Sequence, residues 1–213
     1  MPRQLKSIGD LFADKEYVAL VQKKLPKLFR IAEMESSRAG KIGMQVGSAR
    51  ENIIIALLLH AFGEKAVNPE FAITATEKDV ELYGKPISIK TITNNGYVKA
   101  VWTVDADSAQ RWASSYEPKM DMILVQICWD TKDGGMFLIP VEVQKEVFEK
   151  LGKDKYLNLP KPGTNPRGVD FSKAAIDNML SDRRTLRIVV DWVKPELSSQ
   201  SIYQRWIDYW LES

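Results

Sequence analysis

The sequence predicts an α/β fold, a single domain with a central mixed β-sheet flanked by helices. Three observations predict it. A stretch of helical periodicity near the N-terminus gives way to a strictly alternating segment at 86–91, a two-residue period. The apolar run MILVQICW at 122–129 has the length and composition of a central strand covered on both faces. The later segments mix hairpin spacings with crossover spacings, which argues for a mixed sheet. With 213 residues, of which 45% are apolar, the chain can bury one sizeable core, so one domain spanning 1–213 is expected.

The elements follow in order. From Asp14 to Glu35 the residues Tyr17, Leu20, Val21, Leu25, Leu28, Phe29 and Ala32 recur at helical spacing, with a kink or fresh start expected at Pro26. SSRAGKIGMQVGS at 36–48 is punctuated by glycine and reads as a loop. Ser48 is placed to cap the next helix, with Glu51 three residues on completing a capping box, and that helix runs to about Phe62. Asp79 to Tyr83, a turn at Gly84 and Lys85, and Pro86 to Thr91 form a hairpin. Tyr97 to Val104 alternates as a strand, and Asp105 caps a helix of about 106–115. After the central strand come a strand at 136–139, a helix at 142–151, a Pro/Gly-rich loop at 160–168 and a helix at 170–180. LRIVVDWV at 186–193 is a further strand, and a C-terminal helix carries Ile202, Trp206, Ile207 and Trp210 on one side.

Composition excludes several chemistries. The formal charge is only +2, so any nucleic-acid binding must gather positive charge on one face. Cys128 is the single cysteine, set in an apolar run, which fits burial in a reducing, cytoplasmic setting. No signal peptide or membrane span is expected. One histidine, His60, and one cysteine give a zinc cluster or a Cys-His nucleophile little to work with. GTNPRG at 163–168 lacks the lysine and hydroxyl of a phosphate-binding loop.

The informative segment is DVELYGKPISIKT, Asp79 to Thr91. If the hairpin closes at Gly84 and Lys85, Asp79 and Lys90 meet near its open end. Ser88 and Lys90 then share one face while Ile87 and Ile89 point into the core. A carboxylate there can hold a hard divalent cation, and the ammonium can orient an attacking water and offset charge on phosphorus. A structural ion pair at a hairpin end is the competing reading. An unpaired ammonium between Ile89 and Thr91 would be costly, which makes Asp79 its natural partner. Glu51 is the second acidic candidate, either a metal or water ligand or only the capping-box residue; Glu77 and Glu81 are alternatives.

On these residues the chain resembles the PD-(D/E)xK phosphodiesterase superfamily and, in size and layout, its type II restriction endonucleases. Asp79 in KDVEL matches the first acid, Lys90 in ISIKT the lysine, and Glu51 in SARENIII the glutamate of a preceding helix. Two positions depart: Lys78 stands where the motif has proline, and Ser88 where it has the second acid, so Glu51 or Glu81 would complete the ligand set or Ser88 would bind through water. The resemblance implies a restriction-endonuclease-like fold with a helical region at about 1–47 and a catalytic core at about 48–130. It also implies sequence-specific hydrolysis of double-stranded DNA leaving 5′-phosphate ends, within restriction-modification. Mg²⁺ would be held by Asp79, Glu51 and the main-chain carbonyl of Ile89, with Lys90 and Ser88 beside it. A homodimer is implied by the two-fold symmetry of a palindrome.

Three segments are candidate DNA contacts. Arg38, Lys41, Met44 and Gln45 lie in the glycine-punctuated stretch before Glu51; an ordinary surface loop reads the same. Thr93, Asn94, Asn95 and Lys99 follow the Lys90 strand, where a plain turn is the bland reading. Asn165, Arg167 and Lys173 lie in or beside the Pro/Gly-rich loop, with Arg167 the best base-reading residue. A branched-DNA or repair nuclease of the resolvase kind, or a non-catalytic DNA-binding protein with a nuclease-like fold, would share the hairpin.

Overall fold

The alternating segment around Ile87 and Ile89 becomes the third strand of a six-stranded mixed sheet. The computed structural model describes residues 5–38, 44–69, 78–94, 96–102, 105–131, 133–161 and 168–211, the side chains at 38, 44, 45, 205 and 206 apart. In chain order the elements are α1 (Ile8–Ala13), α2 (Lys15–Arg38), α3 (Met44–Phe62), β1 (Val67–Asn68), β2 (Val80–Leu82), β3 (Lys85–Thr93) and β4 (Val98–Val101). There follow α4 (Ala106–Ser115), β5 (Asp121–Ile127), β6 (Gly135–Ile139), α5 (Val141–Leu151), α6 (Lys153–Tyr156) and β7 (Leu157–Asn158). The chain ends with β8 (Val169–Phe171), α7 (Lys173–Ser181), β9 (Leu186–Ile188), a 3₁₀ turn at Ser201–Tyr203 and α8 (Gln204–Leu211).

The main sheet runs β1-β2-β3-β5-β6-β9. Only β3 and β5 pair in parallel, as a chain returning through β4 and α4 requires; the other neighbours are antiparallel. MILVQICW supplies β5, whose two faces feed two cores. Ile123, Val125 and Ile127 join Ile87 and Ile89 against Phe29, Ile54 and Leu58 of α2 and α3. Met122 and Leu124 face the other way, toward Ala109 of α4, Val143 of α5, Met179 of α7 and the small sheet β4-β8-β7. Among the described residues no helix is long and apolar enough to cross a membrane.

Several boundaries differ from the sequence reading, each for a local reason. Helix α2 runs unbroken through Pro26 to Arg38, with Ser36 buried in it, so 36–38 are helical where a loop is expected, and 39–43 lie outside the described residues. Helix α3 starts at Met44, so Ser48 lies inside it and does not cap it. Packing of Ile54 and Leu58 and a buried side chain at Arg50 hold these turns helical despite Gly47, and tertiary contacts outweigh a propensity cost of about 1 kcal/mol. Asp105 does cap α4, accepting from Ser108 N at 2.6 Å. The helix placed at 170–180 begins only at Lys173, because Val169 to Phe171 first pair with β4. The last strand stops at Ile188; beyond it Trp192 is wholly buried while Val193 is exposed, and the Trp192 N–H bonds the Thr131 carbonyl in place of a strand partner. In the terminal helix Ile207 and Trp210 are exposed.

The turn of the β2-β3 hairpin is one residue earlier than expected. Leu82 pairs with Lys85, which leaves Tyr83 at φ 51° and Gly84 at φ 75° as a two-residue loop. Both left-handed residues match the twist of a type I′ turn. Nothing lies within 4 Å of the place a Gly84 side chain would take, so Gly84→Ala meets only a backbone penalty. Urea denaturation is expected to show a loss of about 1 kcal/mol. No loss would mean that the turn is not held left-handed.

Candidate active site

Asp79 sits one residue before β2, and its position is set by β3. Its N–H donates to the Ile87 carbonyl at 3.1 Å. Its Oδ2 accepts three donors from successive β3 residues: Ser88 Oγ at 3.2 Å, Ile89 N at 2.6 Å and Lys90 Nζ at 3.5 Å. Strand alternation explains the convergence. Ile87 and Ile89 are driven into the α2/α3 core, which turns Ser88 and Lys90 to the opposite face, where Asp79 stands across from Ser88. The Ile89 amide takes the Asp79 carboxylate where β2 has ended. Its carbonyl, on the same edge of an extended strand, opens beside it.

The other carboxylate oxygen, Oδ1, meets no donor among the described residues. Glu51 on α3, one turn before Ile54, is close enough to sense both Asp79 and Lys90. Burial first, and then the charge of Asp79, push the Glu51 carboxyl up to about 7, while Lys90 pulls the other way. Glu51, Asp79 and Lys90 therefore share one electrostatic site. A half-buried Glu51 carboxyl made costly to ionise by burial and by Asp79, next to an Asp79 carboxylate with a free oxygen, is a donor set that a divalent cation would relieve. The residues fit such an ion. No cluster of three His, Cys, Asp or Glu side chains exists among the described residues, so two carboxylates and the Ile89 carbonyl would be the protein's share.

The remaining candidates separate. Ser88 is buried and spends its hydroxyl on Asp79, which makes it a brace for that carboxylate. Glu81 pairs with Lys78, and Glu77 lies outside the described residues. Lys41, Asn95, Asn165 and Arg167, and the side chains of Arg38, Met44 and Gln45, also lie outside them. Thr93 ends β3 and accepts from Arg50 Nη1 at 3.1 Å. Asn94 is exposed in a left-handed turn at φ 54°, its backbone tied to Ile127 and Gln126. Lys99 is held by Asp170 at 2.7 Å and lies over the Trp102 ring. Lys173 is exposed and bonds Asp177 one turn along, a pairing worth little in water.

Two groups escaped the sequence reading. Lys119 lines a small cavity with Ser88, Lys90, Ala100, Tyr116 and Gln144, bringing a second ammonium to the site's flank. Its signal was the parallel pairing of β3 and β5, which sets the start of β5 beside Ser88. Arg50, next to Glu51, is buried against Glu33; an arginine beside an apolar helical run was the available sign.

Comparison with known proteins then gives a direct match. The family described as restriction endonuclease ThaI matches residues 11–212. A solved structure of a restriction endonuclease in complex with substrate DNA is 47% identical, with a TM-score of 0.84, over 97% of this chain and 99% of that one. No curated protein matches.

The Glu51 environment has a stability signature. In the unfolded chain its carboxyl ionises near the ordinary 4.5, and in the folded protein at about 7. Between those values the folded state keeps a proton that the unfolded state has lost. Stability of the metal-free protein should therefore fall as pH rises through that window, by roughly 3 kcal/mol. Glu51→Gln should flatten the fall. Urea unfolding in EDTA at about pH 5 and pH 8 checks it, and equal slopes for the two proteins would contradict it.

Proposed function

Because the chain belongs to the restriction endonuclease ThaI family, we propose that it is a Mg²⁺-dependent type II enzyme that hydrolyses double-stranded DNA at a specific sequence, with Asp79, Lys90, Glu51 and Ser88 as its active site. The convergence of Ser88, Ile89 and Lys90 on one oxygen of Asp79 carries this reading, because it leaves the second oxygen without a donor among the described residues, in a carboxylate whose charge Glu51 senses.

Asp79, Glu51 and the Ile89 carbonyl would hold Mg²⁺. The chemistry supplied by that ion when bound is Lewis acidity, which lowers the pKa of water and offsets charge on the phosphoryl oxygens. The chain's own part is positioning. Ser88 and the Ile89 amide fix the Asp79 carboxylate, so it need not reorganise when charge develops. Lys90, held near Asp79, is placed to orient the attacking water and to stabilise the pentacoordinate phosphorus. Water attacks in line as the bond from phosphorus to the 3′ oxygen breaks. The water oxygen stays on the 5′-phosphate, and a proton ends on the 3′-hydroxyl.

Arg38 ends α2, Met44 and Gln45 open the helix of Glu51, Thr93 ends the strand of Lys90 and Asn94 follows it; Lys41 and Asn95 are their neighbours in sequence. We take these, with Lys99, Asn165, Arg167 and Lys173, as DNA contacts, and 48–130 as the catalytic core beside a helical region at 1–47. For Lys99, DNA would have to displace or join Asp170. A homodimer fits a palindromic target. A cytoplasmic setting fits the lone, buried thiol of Cys128.

Incubation with plasmid DNA and Mg²⁺ is expected to give discrete fragments; a requirement for branched DNA would point to a resolvase, and no hydrolysis in any divalent metal to a binding protein. Asp79→Ala and Lys90→Ala should each abolish cutting while the folded variants still bind DNA. Full activity in either purified variant would overturn the assignment.

A further inference from the structure

Resting on the nuclease reading above, we infer that Arg50 is a positioning residue: it fixes the height of Glu51 on α3 against Asp79 and Lys90. Glu51 and the Asp79–Lys90 hairpin belong to separate elements, and the geometry of the site depends on how α3 is registered on the sheet. The helix meets the sheet core chiefly through Ile54 and Leu58, both fully buried. Apolar contact of that kind is non-directional and does not by itself fix a helix to a fraction of an ångström along its axis.

Arg50 supplies the direction that this contact lacks. Its Nη1 donates to Thr93 Oγ1 at 3.1 Å, at the end of the strand that carries Lys90. Its Nη2 donates to Glu33 Oε1 of α2 at 2.5 Å. The same Glu33 oxygen accepts Trp129 Nε1 at 3.0 Å, just beyond β5, and Arg30 reaches the other oxygen. The guanidinium also lies 5.7 Å from the Phe29 ring centre. The planar fork thus ties α3 to α2 and to the end of β3, and Glu33 carries the link on to Trp129 just beyond β5.

Stability is a poor reason for such a group. Arg50 is 7% exposed, and burial pulls its guanidinium below the ordinary value while Glu33 opposes the shift. Buried ion pairs can often be exchanged for apolar side chains without loss of stability, so this one is better explained by register. Glu51 is the next residue, so the fork sets where its carboxylate stands. A displacement of about 1 Å at a reacting centre can cost roughly a hundredfold in rate.

Two mild variants test this. Thr93→Val removes the strand-end acceptor and leaves the Arg50–Glu33 pair, and Arg50→Lys keeps the charge but loses the fork. Single-turnover cleavage in Mg²⁺ would be measured together with calorimetric Ca²⁺ affinity, DNA affinity in Ca²⁺ and the thermal midpoint. Thr93→Val is expected to cut at least about tenfold more slowly at saturating DNA and to bind Ca²⁺ severalfold more weakly without DNA, beyond any loss of DNA affinity, with the thermal midpoint near wild type. Arg50→Lys should show the same pattern. Wild-type rate and Ca²⁺ affinity in folded Thr93→Val would overturn the inference. So would a loss confined to DNA affinity, which would leave Thr93 a DNA contact and nothing more, or to thermal midpoint, which would make the network structural. A wild-type protein that cuts no DNA would count against the nuclease reading itself, and the Ca²⁺ comparison would still decide the role of Arg50.

Discussion

Three donors from consecutive residues of one strand converge on a single oxygen of Asp79, and the rest of the site depends on that convergence. It requires Ile87 and Ile89 to be buried on the far face, since a slip of one residue would turn Ser88 and Lys90 into the core and bring the isoleucines to Asp79. The register is held by the short loop of Tyr83 and Gly84 on one side and by the parallel pairing with the fully covered β5 on the other. A strand that is hydrophobic for packing reasons therefore also aims the polar groups.

The opposing contribution comes from a different layer. Helix α3 lies over the α2/α3 core and brings Glu51 within electrostatic reach of Asp79, where burial and like charge make its ionised form costly. The metal-free protein bears that cost, and a bound divalent cation would remove it. This is the usual conflict between stability and function at a charged site, in which the protein holds groups close together that would separate if they were free. The buried Arg50 and Glu33 belong to the same compromise, because they trade solvation for direction.

The hairpin was legible in the sequence because a two-residue period and two chemically distinct charges lie within a dozen residues of each other. The turn was misplaced by one residue because Tyr83 adopts a left-handed conformation that its side chain does not favour and its composition does not announce. The stretch 36–48 is helical at its two ends, 36–38 and 44–48, where loop is expected, for the opposite reason. Its serines and glycines signal irregular backbone, yet Ser36 is buried in α2 and Ser48 lies in α3, where distant packing decides the matter. Glu51 reads in the sequence either as a metal or water ligand or as a capping residue; the capping box does not form, because Ser48 lies inside α3. Lys99 with Asp170, and Glu33 with Arg50 and Trp129, join residues far apart in the chain. No local pattern encodes such pairs, and they emerge only once the sheets close.

The most direct measurement is anomalous scattering from crystals soaked in Mn²⁺. An ion bound by Asp79 Oδ1, the Glu51 carboxylate and the Ile89 carbonyl, with Lys90 alongside, is the predicted result. An ion held elsewhere on the chain, or Glu51 turned away from an occupied Asp79, would contradict the account.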